Sequence, residues 1–283
     1  MSTGHILCKM RTMLILLSPS KTQDRESLSP TELYTEPLFE EERWHLVRKL
    51  KELSKRDIMK VMKISEQLAE KHILRTGLWS KRHTKKKSKQ AIHLFTGAVY
   101  DSFKNNSFTA REYAYMQKNL RILSGMYGVI RPLDLIQPYR LEMGTKFSFV
   151  LKKQEYKNLY MYWSDVVTSH FCNNKDRVVI NLASEEYSKV IVRETCPLKF
   201  LEVQFLEKKG SEYKQVTIYT KKARGSLACW IVKKGCRTVE DIKEYKELGY
   251  VFSKRKSNEK KFVFIRKSSV SYTHLTLPTT PYV

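Results

Sequence analysis

Acidic residues are scarce in this 283-residue chain: 29 Asp and Glu stand against 53 Lys and Arg, leaving a formal charge of +24. That excess goes beyond what solubility needs and repels itself in a compact fold, so a polyanionic partner is the economical explanation. Long apolar runs are missing too. No segment reaches the length that crosses a bilayer, and no strongly amphipathic basic helix carries flanking aromatics. Among polyanions, nucleic acid therefore leads over a membrane surface. Cysteine is sparse: Cys8, Cys172, Cys196, Cys229 and Cys236 are odd in number, scattered and without CxxC spacing. This argues against a disulfide framework and a zinc site and fits a reducing cytoplasm. The seven histidines form no HxxxH or HxxE set beyond chance, so no metal and no cofactor is expected.

What is present suits a folded protein. With 41% hydrophobic and 11% aromatic residues, the chain can bury one large core. Residues 1–12 show no period before the apolar run MLILL at Met13, so they read as extra residues ahead of the first strand. The run is too short for a signal peptide and lacks a small-residue cleavage site. The closing segment SVSYTHLTLPTTPYV differs in texture from the charged sequence before it, and residues 268–283 read as a non-native tail. A single domain is expected over 13–267.

Within that body, the loop SPSKTQD after MLILL reads either as a phosphate or nucleobase holder or as a plain loop, since it lacks the glycines of a P-loop. Leu46, Val47, Leu50 and Leu53 mark one helix. Ile58, Val61, Met62, Leu68 and Ala69 mark a second, with Ser54 and Asp57 near its start. Residues 81–89, KRHTKKKSK, are either a solvated loop or a nucleic-acid arm. His93 stands alone among apolar neighbours, as a satisfied histidine does. A helix is predicted over Ala110–Leu123 and another over Leu159–Phe171. RVVINLA at 177–183 reads as a central strand ending in SEEY, where Glu185 and Glu186 either serve as acid and base or begin a solvated helix. KFLEVQFLE and YKQVTIYT predict a hairpin about Gly210. Lys221, Lys222 and Arg224 then leave a strand, and Gly225 turns into a helix starting at Leu227, a strand-to-helix junction suited to an anion or to a basic surface loop. Thr238 and Asp241 predict a capped helix ending at Gly249, and FVFIR a closing strand.

The stretch from Leu120 to Lys146, LRILSGMYGVIRPLDLIQPYRLEMGTK, is the most distinctive. Gly125 and Gly128 with Arg131-Pro132 behind them predict a helix, a tight hairpin and a second short helix. Arg121, Arg131, Arg140 and Lys146, with Tyr127 and Tyr139 between them, either face a nucleic acid or are solvated residues on an ordinary connection.

Taken in order, MLILLSPSKT, this central stretch, INLASEEY, KKARG and a late GYVFS before FVFIR resemble the YaaA family of bacterial peroxide-stress proteins over about Met13 to Lys267. The resemblance implies a cytoplasmic protein that limits oxidative damage and is linked to DNA repair and lowered intracellular iron. It also implies an α/β mixed (α+β) single domain with a positively charged cleft and a helix-hairpin-helix element. Two departures stand out: the family's GDVY is GAVY here, with Ala98 removing a carboxylate, and Leu227 replaces a methionine after the RG of KKARG.

The expected partner is DNA, whether duplex, bubbled or junction, with little sequence preference. The expected contacts are Ser124, Gly125, Tyr127, Gly128, Arg131, Arg140, Lys146, Lys222, Arg224 and Gly225. The alternative is an enzyme acting on a nucleotide or nucleic acid, with Glu142 or Glu186 as acid or base and Lys222 with Arg224 on phosphate.

Overall fold

The computed structural model describes residues 12–173 and 177–267; the expectations for the two ends and for Cys8 lie outside them. The chain opens with β1 (Thr12–Leu17), then α1 (Glu40–Lys51), α2 (Lys55–Met62) and α3 (Glu66–Gly77). Next come β2 (Lys89–Gln90), α4 (Ala91–Leu94), α5 (Asp101–Lys104) and α6 (Ala110–Asn119). The middle holds β3 (Leu120–Ser124), β4 (Gly128–Ile130), β5 (Leu135–Ile136), β6 (Phe149–Leu151), β7 (Gln154–Tyr156) and α7 (Leu159–Cys172). The last third runs β8 (Arg177–Asn181), α8 (Glu185–Ser188), β9 (Lys199–Lys209), β10 (Glu212–Lys214), α9 (Thr217–Lys234), β11 (Val251–Phe252) and β12 (Lys261–Lys267). This is the mixed α/β architecture that the sequence predicts.

An eight-stranded sheet in the order β11-β12-β9-β8-β1-β3-β4, with β10 paired to β9, forms its centre. β12, β9, β8, β1 and β3 run parallel, and β4, β10 and β11 are antiparallel additions. β1 is the middle strand: Ile15 lies opposite Ile180 on one side and Leu120 on the other. Both its faces are covered, so MLILL reads as a continuous apolar run with every residue buried. The helices that read clearly in sequence have local caps. Ser54 accepts the Asp57 N–H at the start of α2, and Thr109 with Glu112 forms a capping box on α6.

Three expectations are corrected here. The glycine hairpin is a β-hairpin: α6 stops at Asn119, Leu120 is already extended, and Ile122–Ser124 pairs antiparallel with Gly128–Ile130. The helical spacing of Tyr113, Met116, Leu120 and Leu123 runs on by coincidence into a strand that β1 recruits through parallel pairing, a tertiary cause with no local signature. The segment after Pro132 is turn and short strand, with β5 paired to β2, so Leu120–Lys146 contains no helix-hairpin-helix. In the second correction, the hairpin about Gly210 exists, but β10 is brief and α9 begins at Thr217, well before Leu227. Val216, Ile218 and Tyr219 stay exposed, so that alternating run has no second sheet face to cover. KKARG is therefore interior helix, and Gly225 makes no turn. Glu240–Glu244 and Glu247–Gly249 are 3₁₀ turns in place of the helix predicted there.

Candidate functional site

β1 and β8 are neighbours whose onward connections diverge, one toward β3 and the other toward β9. In open α/β sheets the carboxyl ends of such a pair flank a crevice that chain connections leave uncovered. Here β1 ends in Ser18-Pro19-Ser20-Lys21-Thr22, and β8 ends in Leu182-Ala183-Ser184. The Ser184 N–H donates to Ser18 Oγ at 2.8 Å, and the two hydroxyls lie 3.2 Å apart. The Tyr100 hydroxyl donates to the Ser18 carbonyl at 2.7 Å. Thr22 Oγ1 donates to Thr96 O, and Gly97, at φ +93°, leaves room for it, since a Cβ there would lie 3.2 Å from that hydroxyl. Gln23 clamps Tyr139 through both backbone groups at 2.9 and 3.0 Å, which fixes the strap that follows.

That strap, Arg140 to Lys146, closes one side. Glu142 Oε1 lies 3.3 Å from Lys21 Nζ and 3.6 Å from Arg140 Nη2. Glu186 Oε1 accepts the Gly144 N–H at 3.0 Å. Lys21, Lys63, Glu142, Gly144, Lys146 and Glu186 line a cavity of about 200 Å³, with the α2–α3 turn as its rim. Further cations stand behind. Burial, then Arg75 and Arg140, push His72 down to about 4, so it is neutral at physiological pH. Burial, then Arg25 and Arg140, lower Arg75 in turn, which places it within reach of two other guanidinium groups.

On the opposite flank, Arg224 is lowered by burial and held by attraction to Glu202. It shares a cavity of about 550 Å³ with Asn181, Ala183, Lys189, Arg193 and Glu202, and its buried Nε has no hydrogen-bond partner. Gly225 docks α9 onto the Gly97–Tyr100 loop so closely that a Cβ would sit 1.8 Å from Val99 O.

The expected contact residues divide into two groups. Lys146 lines the smaller cavity and Arg140 stands beside it through Glu142, whereas Arg224, followed by Gly225, lines the larger, separate one, and Lys222 is exposed on α9. Ser124, Gly125, Tyr127 and Gly128 are buried. The Ser124 hydroxyl meets the Tyr139 hydroxyl at 2.7 Å and accepts the Met126 and Tyr127 N–H groups, so those amides are already paired. A Cβ on Gly125 would lie 2.5 Å from Leu141 O, and one on Gly128 2.6 Å from Trp163. These glycines serve close packing. Arg131 is held by Asp134 at 2.9 Å and by the Glu36 carbonyl at 2.6 Å. The basic run is likewise anchored: Lys81 pairs with Glu41, Lys85 with Glu32, and Lys89 donates to the Ser27 carbonyl at 2.8 Å. Among the described residues no group of His, Cys, Asp or Glu is placed to hold a metal, and no helix is long and apolar enough to cross a membrane.

Sequence reasoning missed Ser18, Ser184, Arg25, Lys63, Arg75 and His72 as parts of one site. SPSKT and SEEY were each visible as polar segments closing a buried strand; that they touch follows from β1–β8 pairing.

Residues 13–256 match the family described as peroxide stress protein YaaA. The chain belongs to that family. It is 39% identical over 262 residues to a UPF0246 protein of Janthinobacterium sp. (strain Marseille), covering 91% of this chain and 100% of the relative. A UPF0246 protein of Marinomonas sp. (strain MWYL1) is 36% identical over 259 residues, covering 91% and 98%. Four segments that carry the YaaA resemblance, SPSKT, YRLEMGTK, SEEY and KKARG, are distant in sequence yet are linked at these strand ends, together with the departing GAVY loop, through the contacts above.

Proposed function

We propose that this YaaA family member is a cytoplasmic DNA-binding protein of the peroxide stress response, holding backbone phosphates across the crevice at the ends of β1 and β8. The observation that carries the reading is the convergence of Lys21, Lys63 and Lys146 on a cavity of about 200 Å³, with Arg140 beside it through its ion pair with the lining Glu142, in a chain of charge +24. A cavity of that size accepts a phosphate group but not a whole nucleotide, which suits backbone contact with weak sequence preference. α2 and α3 are joined through Lys63, in the left-handed conformation, at the edge of this cavity. Ser65 at the start of α3 makes no side-chain cap, so first-turn amides are open to an anion.

The test is a gel-shift titration with duplex, bubbled and junction DNA over a range of salt. Affinity should fall steeply, with a slope equivalent to roughly five to eight phosphates. Arg140→Gln should lower that slope by about one contact, whereas Glu142→Gln should tighten binding by releasing Lys21 and Arg140. A flat salt response overturns the reading. A second reading, an enzyme acting on a nucleotide or nucleic acid, is favoured by one observation: Glu142 is a mostly buried carboxylate beside two cations at the strand ends. Under it, Glu142→Gln should cost about a hundredfold or more in turnover while sparing binding. Screening for nuclease, glycosylase and nucleotide-modifying activity separates the two.

A further inference from the structure

Of the four cysteines among the described residues, three are sealed: Cys196, Cys229 and Cys236 are 6%, 4% and 4% exposed. Cys172 is the half-buried one. It is the last residue of α7, and Cys196 lies three residues ahead of β9, so the two are remote in sequence but adjacent in space. Cys172 Sγ donates to the carbonyl oxygen of Thr195, the residue before Cys196, at 3.9 Å, and the Cys172 thiol is close enough to the Cys196 thiol to raise its pKa. The Cys196 backbone N–H is also tied, to Arg193 O at 3.2 Å, which fixes the backbone at this turn. The crevice uses neither thiol.

We propose that Cys172 and Cys196 form a two-thiol site that reduces a hydroperoxide and closes into an intramolecular disulfide. The Cys172 sulfur, as thiolate, attacks one oxygen of the peroxide. The O–O bond breaks, the departing oxygen takes a proton to leave as water or an alcohol, and Cys172 becomes a sulfenic acid. The Cys196 sulfur then attacks the Cys172 sulfur. The S–S bond forms, the S–O bond breaks, and the Cys196 proton leaves with the hydroxide as a second water. Two thiols lose two electrons in all, and the peroxide gains them.

Environment assigns the order of attack. Burial, and then the hydrogen bond that the Cys196 thiol donates to Cys172, push Cys196 up to about 11, so it keeps its proton and waits as the resolving thiol. Burial pushes Cys229 and Cys236 up to about 11 and 12, which makes both poor competitors. A thiol within reach of a small oxidant and beside a resolving partner is the arrangement that stops at the reversible disulfide, short of sulfinic acid. The inference stands apart from DNA binding and does not require it.

The test treats the reduced full chain with one equivalent of hydrogen peroxide at neutral pH, alkylates, digests and maps the peptides. The expected result is a Cys172–Cys196 linked peptide, two free thiols lost per chain, and recovery of both with dithiothreitol. In Cys196→Ser, Cys172 should instead be trapped by dimedone as a sulfenic acid; in Cys229→Ser the linked peptide should form as before. The wild-type map decides even if a variant folds poorly. The proposal is overturned if Cys172 and Cys196 both remain alkylatable, if Cys172 goes on to sulfinic acid with Cys196 still free, or if the linked peptide involves Cys8.

Discussion

Gly225→Ala isolates the contact that fixes α9 at the crevice. On helix propensity alone the change should stabilise by about 0.5–1 kcal/mol, because Gly is a poor residue in a helix interior. The structure opposes this with a Cβ at 1.8 Å from Val99 O, 2.6 Å from its carbonyl carbon and 2.9 Å from its Cα. All three are backbone atoms, so no side chain can rotate away. The helix and the Gly97–Tyr100 loop must separate by roughly 1.5 Å to reach an ordinary contact, which forfeits dispersion along the whole interface. Overpacking costs about 1–3 kcal/mol where side chains can adjust, and a backbone clash belongs at or above the top of that range, so the net loss should be about 2 kcal/mol or more. For a domain of this size that is a fall of about 4–8 °C in Tm. The same displacement carries Arg224 away from its cavity, so under the proposed DNA-binding function affinity for DNA should fall in protein that is still folded. Urea unfolding and the gel shift, both below the lowered Tm, measure the two effects. If Gly225→Ala gains the propensity term and binds normally, α9 does not dock on Val99 as described, and the reasoning fails.

Arg131→Ala should destabilise by about 2–4 kcal/mol, because Asp134, at 0% exposure and already raised by burial, would lose its cation; an unchanged urea midpoint would show the pair to be dispensable. Gly128→Ala should cost about 2–4 kcal/mol from its φ of +68° together with the clash on Trp163, and near-UV circular dichroism should register the displaced indole. Stability should also fall between pH 7 and 5. His83 and His72 are held at about 3 and about 4 by burial, so the unfolded chain takes up their protons below about 6.5 while the folded chain does not. Their contribution is complete above that pH and is lost as pH drops toward the folded values, by about 2 kcal/mol for each at pH 5. The His83 ring sits between the Gln137 amide at 2.9 Å and the Tyr127 hydroxyl at 3.1 Å, so a second ring proton would face a donor. A flat unfolding free energy over that range would contradict the assignment.

Much of this fold is written locally. MLILL is an apolar run because its strand is covered on both faces, Val179 and Ile180 of RVVIN are buried beside it, and α2 and α6 announce themselves through Ser54 and the Thr109–Glu112 box. The charge excess, the absence of a membrane-length helix among the described residues and the family resemblance are likewise properties of the chain as a string. Tertiary structure decided where a pattern fits two elements equally well. Leu120 to Ser124 continues a helical spacing, yet it became a strand because β1 offers a row of unpaired backbone groups beside it. Thr217 to Lys222 alternates like a strand, yet it became helix because the sheet has no further place for it and Gly225 lets the helix close on Val99. The site follows the same division. Each of SPSKT, SEEY, YRLEMGTK and KKARG is polar or basic on its own, but only the order of the parallel strands brings the ends of β1 and β8 together, and the pairings of β1 join residues more than a hundred positions apart.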